Sequence, residues 1–443
     1  MGLSPEQFRV GSLGARTIPS PLKLSRERGD GIANYVYDDT YLLYQVTSEG
    51  GERIRSDLRL EVAGPRESIL FNPPDTRAAM VTCGGLSPGL NNVIRSMYFE
   101  LHYKYQVKEV IGFQYGYRGI NPARGLEPIT ITPEFVRTIH NEGGSVLGCS
   151  RGAEETSVIV DRLQEMGLSI LFCIGGDGTL KGAHAIAEEV RARGARIAIV
   201  GVPKTIDNDI PFVYKTFGFD TAVGVVREAL QAAHTEAVGT PNGIGLVKVM
   251  GRDSGFIAAY GTLASTEVNY CLIPEVPFDL YGEGGLLDHL DRRIRKRGHA
   301  VIVVAEGAGQ ELFKSAARAR DESGNILHSD IGVLLRDEIN AYFKQTDLSI
   351  SLKYIDPSYM IRSVRADAND AVFCDNLARS AVHAGMAGKT DLVIGLWHGL
   401  NVHVPIPLAI SSRKKVNPES NLWRNVTGAT GQPLRIGGQE AAR

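Results

Sequence analysis

The segment SILFCIGGDGTLKGAHAIAEEVRARGARIAIVGVPKTIDND, residues 169–209, carries the clearest signal of the fold. An apolar run ends in glycines, a segment with helical spacing follows, and a second apolar run ends in a polar loop. This order is typical of a strand, a helix and a second strand parallel to the first. Because ligands of open α/β sheets bind beyond the carboxyl ends of strands, the loops GGDGT and PKTIDND are where chemistry is expected.

The same alternation extends along the chain in both directions. It begins with RAAMVTCGG at Arg77 and resumes with GIGLVKVMGR, HAVIVVAEGAG and DLVIGLWHG, with amphipathic helices between these runs. We therefore predict an α/β protein of two Rossmann-like, doubly wound lobes with mainly parallel sheets. A chain of 443 residues suits two or three lobes.

Residues 1–75 differ from the rest of the chain. They are polar and irregular, apart from YVYDDTYLLYQV, whose aromatic and β-branched residues favour a strand or two. We interpret this segment as an N-terminal extension.

Composition and charge narrow the classes of function. A net charge of −2 gives no basic surplus for binding nucleic acid or an anionic membrane. No apolar run is long enough to cross a bilayer, and the first residues lack the apolar core of a signal peptide. The five cysteines are scattered singly, which fits a reducing compartment and argues against disulfides or a zinc site. We expect a cytoplasmic protein that binds neither nucleic acid nor membrane.

The loop GGDGT places one carboxylate, Asp177, among backbone amides at the start of a helix. Such amides attract phosphate, whereas an acid repels it unless a cation lies between them. We therefore predict that Asp177 binds Mg²⁺ and that the metal bridges phosphoryl oxygens. The alternative is that Asp177 only caps the helix.

The loop PKTIDND brings Lys204, Thr205, Asp207 and Asp209 close together in the sequence. The two acids alternate along the chain, so one can face the site and the other can support it or reach the metal. A carboxylate beside a substrate hydroxyl can accept its proton during phosphoryl transfer. Lys204 and Thr205 supply donors for the transferring oxygens. The alternative is an acidic surface turn.

Three other strand-end loops and one later segment carry polar groups. TCGGLSPGLNN has glycines that admit a close ligand and leads into a helix, but it is neither a Walker loop nor GxGxxG. MGRDSG offers Arg252, whose guanidinium can grip a sugar phosphate with two parallel hydrogen bonds. AEGAGQ offers Glu306 as an acceptor for sugar hydroxyls, and the segment YMIR offers Arg362 as another phosphate contact.

Together these segments resemble those of the 6-phosphofructokinases. GGDGT, PKTIDND, MGRDSGFIA, AEGAGQ and YIDPSYMIR occur in that family's order, and the resemblance runs from Arg77 to about Pro407. The N-terminal extension and AMVTCGGLSPGLNNVIR look most like the ATP-dependent branch of plants and trypanosomatids. The resemblance implies glycolytic transfer of the ATP γ-phosphoryl group to the 1-hydroxyl of D-fructose 6-phosphate, giving fructose 1,6-bisphosphate and ADP.

The resemblance also implies roles for individual residues. Asp207 would be the base that deprotonates the 1-hydroxyl, with Thr205 and Ile206 beside it, and Asp177 would serve Mg²⁺. The residues that would hold ATP are Gly85, Tyr117, Arg151, Gly152, Gly176, Asp177, Gly178 and Thr179. Those that would bind the sugar phosphate are Thr205, Ile206, Asp207, Met250, Gly251, Arg252, Glu306, Lys353, Tyr359, Met360, Ile361 and Arg362.

The resemblance further divides the chain by function. The nucleotide-binding lobe would be residues 76–218 with about 361–405, and the sugar-phosphate lobe residues 219–360 with about 406–443. The family suggests a homo-oligomer, either a homotetramer or a homodimer.

Three positions depart from the bacterial pattern of this family. Gly243 stands where that pattern has an arginine donated across a subunit interface, and Lys248 is a candidate source of the missing charge. Lys353 replaces a second interface arginine with a point charge that lacks the bidentate fork. Tyr359 replaces a histidine that contacts the sugar. The resemblance therefore gives no expectation about a site shared between subunits or about inherited allosteric control.

Two residues bear on the identity of the phosphoryl donor, and they indicate different donors. By resemblance, the pyrophosphate-dependent enzymes have Asp where this chain has Gly178, and they have a lysine where it has Lys204. An Asp at position 178 would fill the space of the nucleotide α-phosphate and repel it, whereas glycine leaves that space open. Lys204 neutralises charge with either donor. ATP is the predicted donor, and a pyrophosphate-dependent phosphotransferase is the alternative.

Two further classes compete with this interpretation. NAD kinases and lipid kinases also have a GGDGT loop, but they leave MGR, EGAGQ and YMIR unexplained. A non-catalytic regulatory paralogue would be expected to lack Asp207, Asp177 or Arg252, and all three are present. His383 and the pair Trp397-His398 are interpreted as packing residues.

Overall fold

A computed structural model describes residues 2–48, 50–51, 53–313 and 328–437 of the chain. The strands within these residues are, in chain order, β1 (Gly11–Ser12), β2 (Ile18–Pro19), β3 (Tyr41–Leu43), β4 (Arg59–Val62), β5 (Ser68–Ile69), β6 (Arg77–Thr82), β7 (Glu109–Phe113), β8 (Ile129–Thr130), β9 (Ile170–Gly175), β10 (Ala198–Pro203), β11 (Gly243–Val249), β12 (Tyr270–Leu272), β13 (His299–Ala305), β14 (Ser351–Ile355), β15 (Lys389–Thr390), β16 (Leu392–Trp397) and β17 (Leu400–Pro405).

The α-helices of the same residues range from single turns to five turns. In chain order they are α1 (Leu90–Phe99), α2 (Pro133–Val136), α3 (Thr156–Glu165), α4 (Asp177–Ala192), α5 (Phe219–Val238), α6 (Phe256–Ser265), α7 (Leu286–Arg297), α8 (Ile331–Phe343), α9 (Ser358–Ser363), α10 (Ala368–Met386), α11 (Ile406–Ala409) and α12 (Asn421–Thr430). None of these helices has the length and apolar character that a membrane span requires.

The chain forms two compact units. The first unit is Met1–Thr205, Ile210–Gly218 and Ser363–Ser412, and the second is Ile206–Asp209, Phe219–Arg362 and Arg413–Arg443. The segment interpreted as an N-terminal extension groups with the first unit, and the loop PKTIDND passes from the first unit to the second after Thr205.

The first unit is built on a nine-stranded sheet in the order β3-β4-β17-β16-β10-β9-β6-β7-β8. Its five central strands, β16 to β7, are parallel, and the strands towards both edges pair antiparallel. On β6, Ala78 and Met80 pack in one core with α1 and α10, whereas Ala79 and Val81 pack in another with α3 and α4. Helices therefore cover both faces, as the apolar strands predict.

The register of β9 and β10 fixes where the polar loops of this unit begin. These strands pair from Ile170 with Ala198 to Gly175 with Pro203. The loops GGDGT and PKTIDND therefore leave the sheet side by side at one edge.

The N-terminal residues belong to this sheet through β3 and β4. Glu61 on β4 is buried and lies 2.8 Å from Arg66, 2.7 Å from Lys389 and 3.2 Å from His403. Burial raises the pKa of the Glu61 carboxyl, but the hydrogen bonds and charges of His403 and Lys389 outweigh it and hold this pKa far below its usual range. A buried network of charged groups thus fastens the N-terminal strands to the sheet.

The second unit is built on a four-stranded parallel sheet in the order β12-β13-β11-β14. On β11, Val247 and Val249 pack with α5 and α6, whereas Ile244 and Leu246 pack with α7 and α8. Strands β11 and β13 are in register up to Val249 and Ala305, so MGRDSG and AEGAGQ begin at the same edge. The predicted α/β class with doubly wound, mainly parallel sheets is confirmed.

Candidate active site

The GGDGT loop leads directly from β9 into α4. Gly176 is the residue before the helix and Asp177 is its first residue, so Asp177 is not the helix cap. A Cβ on Gly175 would lie 2.0 Å from Thr179 Oγ1, so this tight entry requires glycine. The alternative that Asp177 serves only as an N-cap is therefore wrong.

Asp177 lies in the first turn of α4, where the helix dipole favours negative charge. Its carboxylate is 10% exposed and pairs with Lys181 Nζ at 2.9 Å, whereas the Lys181 side chain is 58% exposed. The loop thus presents a carboxylate whose cationic partner extends into solvent.

Gly178, the second residue of α4, faces open space. A Cβ added at this position would meet no atom of the described residues within 4 Å. The first carbon of a side chain at this position would therefore meet no clash with the protein.

Tyr117 supports the start of α4 from within the unit. Its hydroxyl donates a hydrogen bond of 2.7 Å to the carbonyl oxygen of Thr179. Its ring fills the space beside Gly182, where a Cβ would lie 2.6 Å from Tyr117 Cε2. Burial raises the pKa of the phenol well above its usual range. The structure therefore brings Tyr117 to the GGDGT loop, with its ring buried inside the first unit.

Lys204 connects two glycine loops of the first unit. Its side chain is buried, and its ammonium donates a hydrogen bond to the carbonyl oxygen of Gly85. Its amide donates to the Gly175 carbonyl oxygen at 3.0 Å. Thr205 follows it, and the Thr205 carbonyl oxygen accepts a hydrogen bond of 2.6 Å from Thr216.

Arg151 and Gly152 lie on an exposed loop beside the first glycine pair. The amide of Gly84 donates to the Ser150 carbonyl oxygen at 2.8 Å, which places the following residues next to that pair. Gly152 has a φ of 101°, a conformation that favours glycine. The first unit thus brings the predicted ATP-binding residues to one edge of its sheet.

Asp207 lies at the start of the part of PKTIDND that belongs to the second unit. Burial raises the pKa of its carboxyl well above the usual range, and the negative charges of Asp209 and Glu306 raise it further. A hydrogen bond from the Arg252 amide and the charge of Arg413 oppose this shift. A carboxylate with a raised pKa is a better proton acceptor near neutral pH than an ordinary aspartate.

Asp207 and Asp209 lie in different surroundings, and the backbone between them is not extended. Strand β10 ends at Pro203, and Asn208 has a left-handed conformation with a φ of 53°. Asp209 pairs with Arg413 at 2.5 Å. The alternation used to predict their different environments is therefore wrong for this segment, and their separate roles stay a prediction.

The loop MGRDSG is held to AEGAGQ by backbone contacts. Gly307 donates to the Gly251 carbonyl oxygen at 3.1 Å, and a Cβ on Gly307 would lie 1.9 Å from the Arg252 carbonyl oxygen. Burial raises the pKa of the Glu306 carboxyl, while Arg252 and Lys248 lower it. The structure therefore brings Arg252 and Glu306 close together, as the sequence predicts. Met250, at the start of MGRDSG, is partly buried and packs against the core of the second unit.

The segment YMIR is divided between solvent and core. Tyr359 is 75% exposed and Met360 66% exposed, whereas the side chain of Ile361 is fully buried. The Arg362 guanidinium lies 4.8 Å from the centre of the Tyr359 ring. The side chains of Ile361 and of Ile206 in the loop PKTIDND both pack in the core. Only the backbone of these two residues is therefore left to contact a ligand.

The departure at Gly243 has a structural explanation. A Cβ on Gly243 would lie 2.1 Å from the Ala237 carbonyl oxygen, so this backbone admits no arginine there. Lys248 Nζ lies 2.9 Å from Asp330 and 2.8 Å from Asp356. Its charge is therefore shared with two carboxylates of the second unit, and a role for Lys248 in place of the missing arginine stays a prediction. Lys353 is exposed on the edge strand β14.

Sequence reasoning missed a segment of the second unit, Arg413–Val416, which we name the basic arm. Arg413 contacts Asp209, and Lys414 Nζ donates to Asn208 Oδ1 at 2.9 Å. The only sequence signal is the run RKK, which is usually a solvated charge run and lies some two hundred residues from PKTIDND.

The family model described as Phosphofructokinase matches residues 77–385. An ATP-dependent 6-phosphofructokinase of Borreliella burgdorferi is 47% identical over 437 residues, which are 97% of this chain and 97% of that protein. One of Amycolatopsis methanolica is 47% identical over 449 residues, 99% of this chain and 97% of that protein. ATP-dependent 6-phosphofructokinase 7 of Arabidopsis thaliana is 46% identical and matches 86% of this chain and 78% of its own length.

Solved structures share the fold at lower identity. A pyrophosphate-dependent phosphofructokinase from Marinobacter aquaeolei has a TM-score of 0.66 at 21% identity, covering 82% of this chain and 92% of its own. Phosphofructokinase of Pichia pastoris in the T-state has a TM-score of 0.63 at 22% identity, covering 81% of this chain and 40% of its own. These two likenesses support the fold alone.

Proposed function

The chain belongs to the phosphofructokinase family, and from this premise we propose how its residues carry out the reaction. Its activity is that of an ATP-dependent 6-phosphofructokinase, a kinase of glycolysis. The terminal phosphoryl group of ATP passes to the 1-hydroxyl of fructose 6-phosphate, giving fructose 1,6-bisphosphate and ADP.

One observation supports ATP as the donor at the level of a single residue. The open space in front of Gly178 is where an aspartate would lie in a pyrophosphate-dependent enzyme. With glycine there, the α-phosphate of a nucleotide meets neither a side chain nor a negative charge. The buried Lys204 serves either donor and does not alter this choice.

The residues of the first unit hold the nucleotide. Backbone amides at the start of α4, at Gly176 to Thr179, face the phosphates, because the N-terminus of a helix is an anion site. Gly85 lets the backbone approach the ligand closely, and Arg151 with Gly152 extends the same edge. Tyr117 contributes by holding α4 in place.

Asp177 holds the magnesium ion that accompanies ATP. Its carboxylate oxygens are hard donors of the kind that Mg²⁺ prefers, and its partner Lys181 is exposed enough to turn to solvent. When bound, the ion neutralises phosphoryl charge.

The transfer step relies on the loop PKTIDND. Asp207 accepts the proton of the 1-hydroxyl as that oxygen bonds to the γ-phosphorus, and the bond from the γ-phosphorus to the β–γ bridging oxygen breaks as ADP leaves. Lys204 and the Thr205 hydroxyl donate hydrogen bonds to the transferring oxygens. Asp209 supports the loop through its pair with Arg413.

The residues of the second unit hold the sugar phosphate. Arg252 and Arg362 bind the 6-phosphate, for which a guanidinium fork is well suited. Glu306 accepts hydrogen bonds from sugar hydroxyls. The remaining contacts come from Ile206, Met250, Gly251, Lys353, Tyr359, Met360 and Ile361.

The enzyme works as a cytoplasmic homo-oligomer, a homotetramer or a homodimer. Scattered single cysteines support a reducing compartment, and the family resemblance supports the assembly.

A coupled assay tests this function. Purified protein is given fructose 6-phosphate with either ATP or pyrophosphate, and formation of fructose 1,6-bisphosphate is followed through aldolase and NADH oxidation. Turnover with ATP and little or none with pyrophosphate is expected. Turnover with pyrophosphate alone would make the chain a pyrophosphate-dependent phosphotransferase.

A further inference from the structure

We propose that Arg413 and Lys414 of the basic arm are positioning residues for Asp207, Asn208 and Asp209, and that they act on the rate of transfer and not on sugar-phosphate binding. This inference rests on the proposed function, because it assigns a task to the loop that carries the transfer step.

Arg413 compensates the charge of Asp209. Its Nη1 lies 2.5 Å from Asp209 Oδ2, and the Asp209 side chain is only 9% exposed. Removing one partner of a buried ion pair leaves the other charge uncompensated, which is costly. Without Arg413, Asp209 would move towards solvent or repel the neighbouring carboxylate of Asp207.

Lys414 holds the turn between the two acids. Its ammonium donates to Asn208 Oδ1 at 2.9 Å, and its amide donates to the Asp209 carbonyl oxygen at 2.8 Å. Asn208 has a φ of 53°, which few residues other than glycine adopt without cost. The two hydrogen bonds stabilise this conformation and thereby set the directions of the acids on either side.

The surroundings of the Lys414 side chain shield it from water. Its ammonium lies 5.3 Å from the centre of the Phe256 ring. Burial lowers the pKa of Lys414 to about 7, although the charge of Asp209 opposes this. A lysine without a structural role would extend into water. The position of the Lys414 ammonium at Asn208 therefore indicates that it stabilises this loop.

The basic arm is anchored at its other end by Glu275. The Glu275 carboxylate accepts hydrogen bonds from the Val416 amide at 2.7 Å and from the Gly255 amide at 3.0 and 3.1 Å. Gly255 directly precedes α6 in MGRDSG, and Ser254 of the same loop donates to the Asp207 carbonyl oxygen at 3.1 Å. The basic arm therefore joins the Asp207 loop to the loop that carries Arg252.

This arrangement predicts an effect on the proton acceptor. The groups that act on Asp207 are Asp209 and Glu306, which raise its pKa, and the Arg252 amide and Arg413, which lower it. Loss of Arg413 removes a lowering contribution and one of the positive charges that face Asp209. The carboxylate form of Asp207 should then be lost at a higher pH.

The test compares Arg413→Gln with Arg424→Gln, a control at an exposed arginine of α12 outside the basic arm. We expect kcat with ATP and fructose 6-phosphate to fall about 30-fold in Arg413→Gln, with KM for fructose 6-phosphate within about threefold. The acid limb of its kcat profile should move to higher pH. Arg413→Lys should recover part of kcat, because it restores the charge without the fork.

The outcomes separate the inference from the proposed function. An inactive wild-type protein would contradict the proposed function, whereas an active wild type with unchanged kcat in folded Arg413→Gln would overturn the inference. A rise in KM alone would also overturn it. If Arg413→Gln does not fold, Arg413→Lys decides: a lower kcat at constant KM supports the inference, and wild-type kcat overturns it.

Discussion

The Tyr117 hydroxyl donates a hydrogen bond of 2.7 Å to the carbonyl oxygen of Thr179. This contact places the ring beneath the glycine loop that leads into α4, with only 7% of the residue exposed. We therefore infer that Tyr117 supports the predicted nucleotide site by holding the start of α4.

Tyr117→Phe should therefore reduce stability more than it reduces ATP binding. The change removes this hydrogen bond while the Thr179 carbonyl oxygen keeps its acceptor role within α4, which costs about 0.5–1.5 kcal/mol of unfolding free energy. KM for ATP should change by less than about threefold. Urea unfolding and steady-state kinetics measure the two quantities, with Tyr103→Phe, at an exposed tyrosine, as the control. Unchanged stability with a tenfold or greater rise in KM for ATP, on the order of 1.4 kcal/mol, would indicate direct contact instead.

Gly178→Asp should reduce the use of ATP far more than the use of pyrophosphate. The new carboxylate enters open space, so the fold should tolerate it, but its charge opposes the nucleotide α-phosphate. A like charge of this kind costs several kcal/mol, or about 100-fold in kcat/KM for ATP.

Gly178→Ala is the matched control for this change, because its Cβ fits the same space without adding charge. It should retain most of the ATP activity. Equal losses with ATP and pyrophosphate in Gly178→Asp would contradict the steric and electrostatic account of the donor.

The pH dependence of kcat should report Asp207. Burial, Asp209 and Glu306 raise the pKa of this carboxyl, and a base acts only when deprotonated. Activity should therefore fall with decreasing pH well above the ordinary aspartate pKa of 3.8. Glu306→Gln removes one neighbouring negative charge and should move this acid limb to lower pH. Exposed Glu311→Gln should leave the limb in place, and a limb unmoved by Glu306→Gln would argue against Asp207 as the titrating base.

Stability should fall in mild acid because of His383. This residue is buried and accepts or donates a hydrogen bond of 2.9 Å with Tyr105, and burial lowers the pKa of the imidazole from 6.5 to about 3. The folded pKa lies below the unfolded one, so the stabilisation is present above pH 6.5 and is lost as pH falls towards the folded pKa.

Between pH 7.5 and 5.0, this single group should cost about 2 kcal/mol of unfolding free energy. Urea unfolding at both pH values measures the loss. His383→Gln should remove that part of the pH dependence, whereas His102→Gln, at a less buried histidine, should keep it. An unchanged pH dependence in His383→Gln would contradict a buried neutral imidazole.

Local sequence patterns predicted most of the fold. The apolar runs of β9 and β10 and the helical spacing between them are short-range signals, and the structure confirms the α/β class that they predict. The same patterns located the loops that the register of β9 with β10 and of β11 with β13 brings to common edges. His383 is a core residue, as interpreted from its helix.

Local patterns could not predict contacts between residues that are distant in the sequence. The basic arm reaches Asn208 and Asp209 from more than two hundred positions away, and no local signal distinguishes it from a solvated run of charge. The ion pairs of Lys248 with Asp330 and Asp356 could not be predicted either, because both partners are distant in sequence. The left-handed turn at Asn208 escaped prediction for another reason, since distant hydrogen bonds stabilise it.

Transfer of label from donor to sugar tests the central claim most directly. Fructose 6-phosphate is incubated with the protein and either ATP labelled with ³²P at the γ-position or ³²P-labelled pyrophosphate, and the products are separated. We predict label in fructose 1,6-bisphosphate from ATP, little or none from pyrophosphate, and a loss with Asp207→Asn of at least about 100-fold in rate. Label that appears only from pyrophosphate, or an Asp207→Asn variant that transfers at the wild-type rate, would contradict the account.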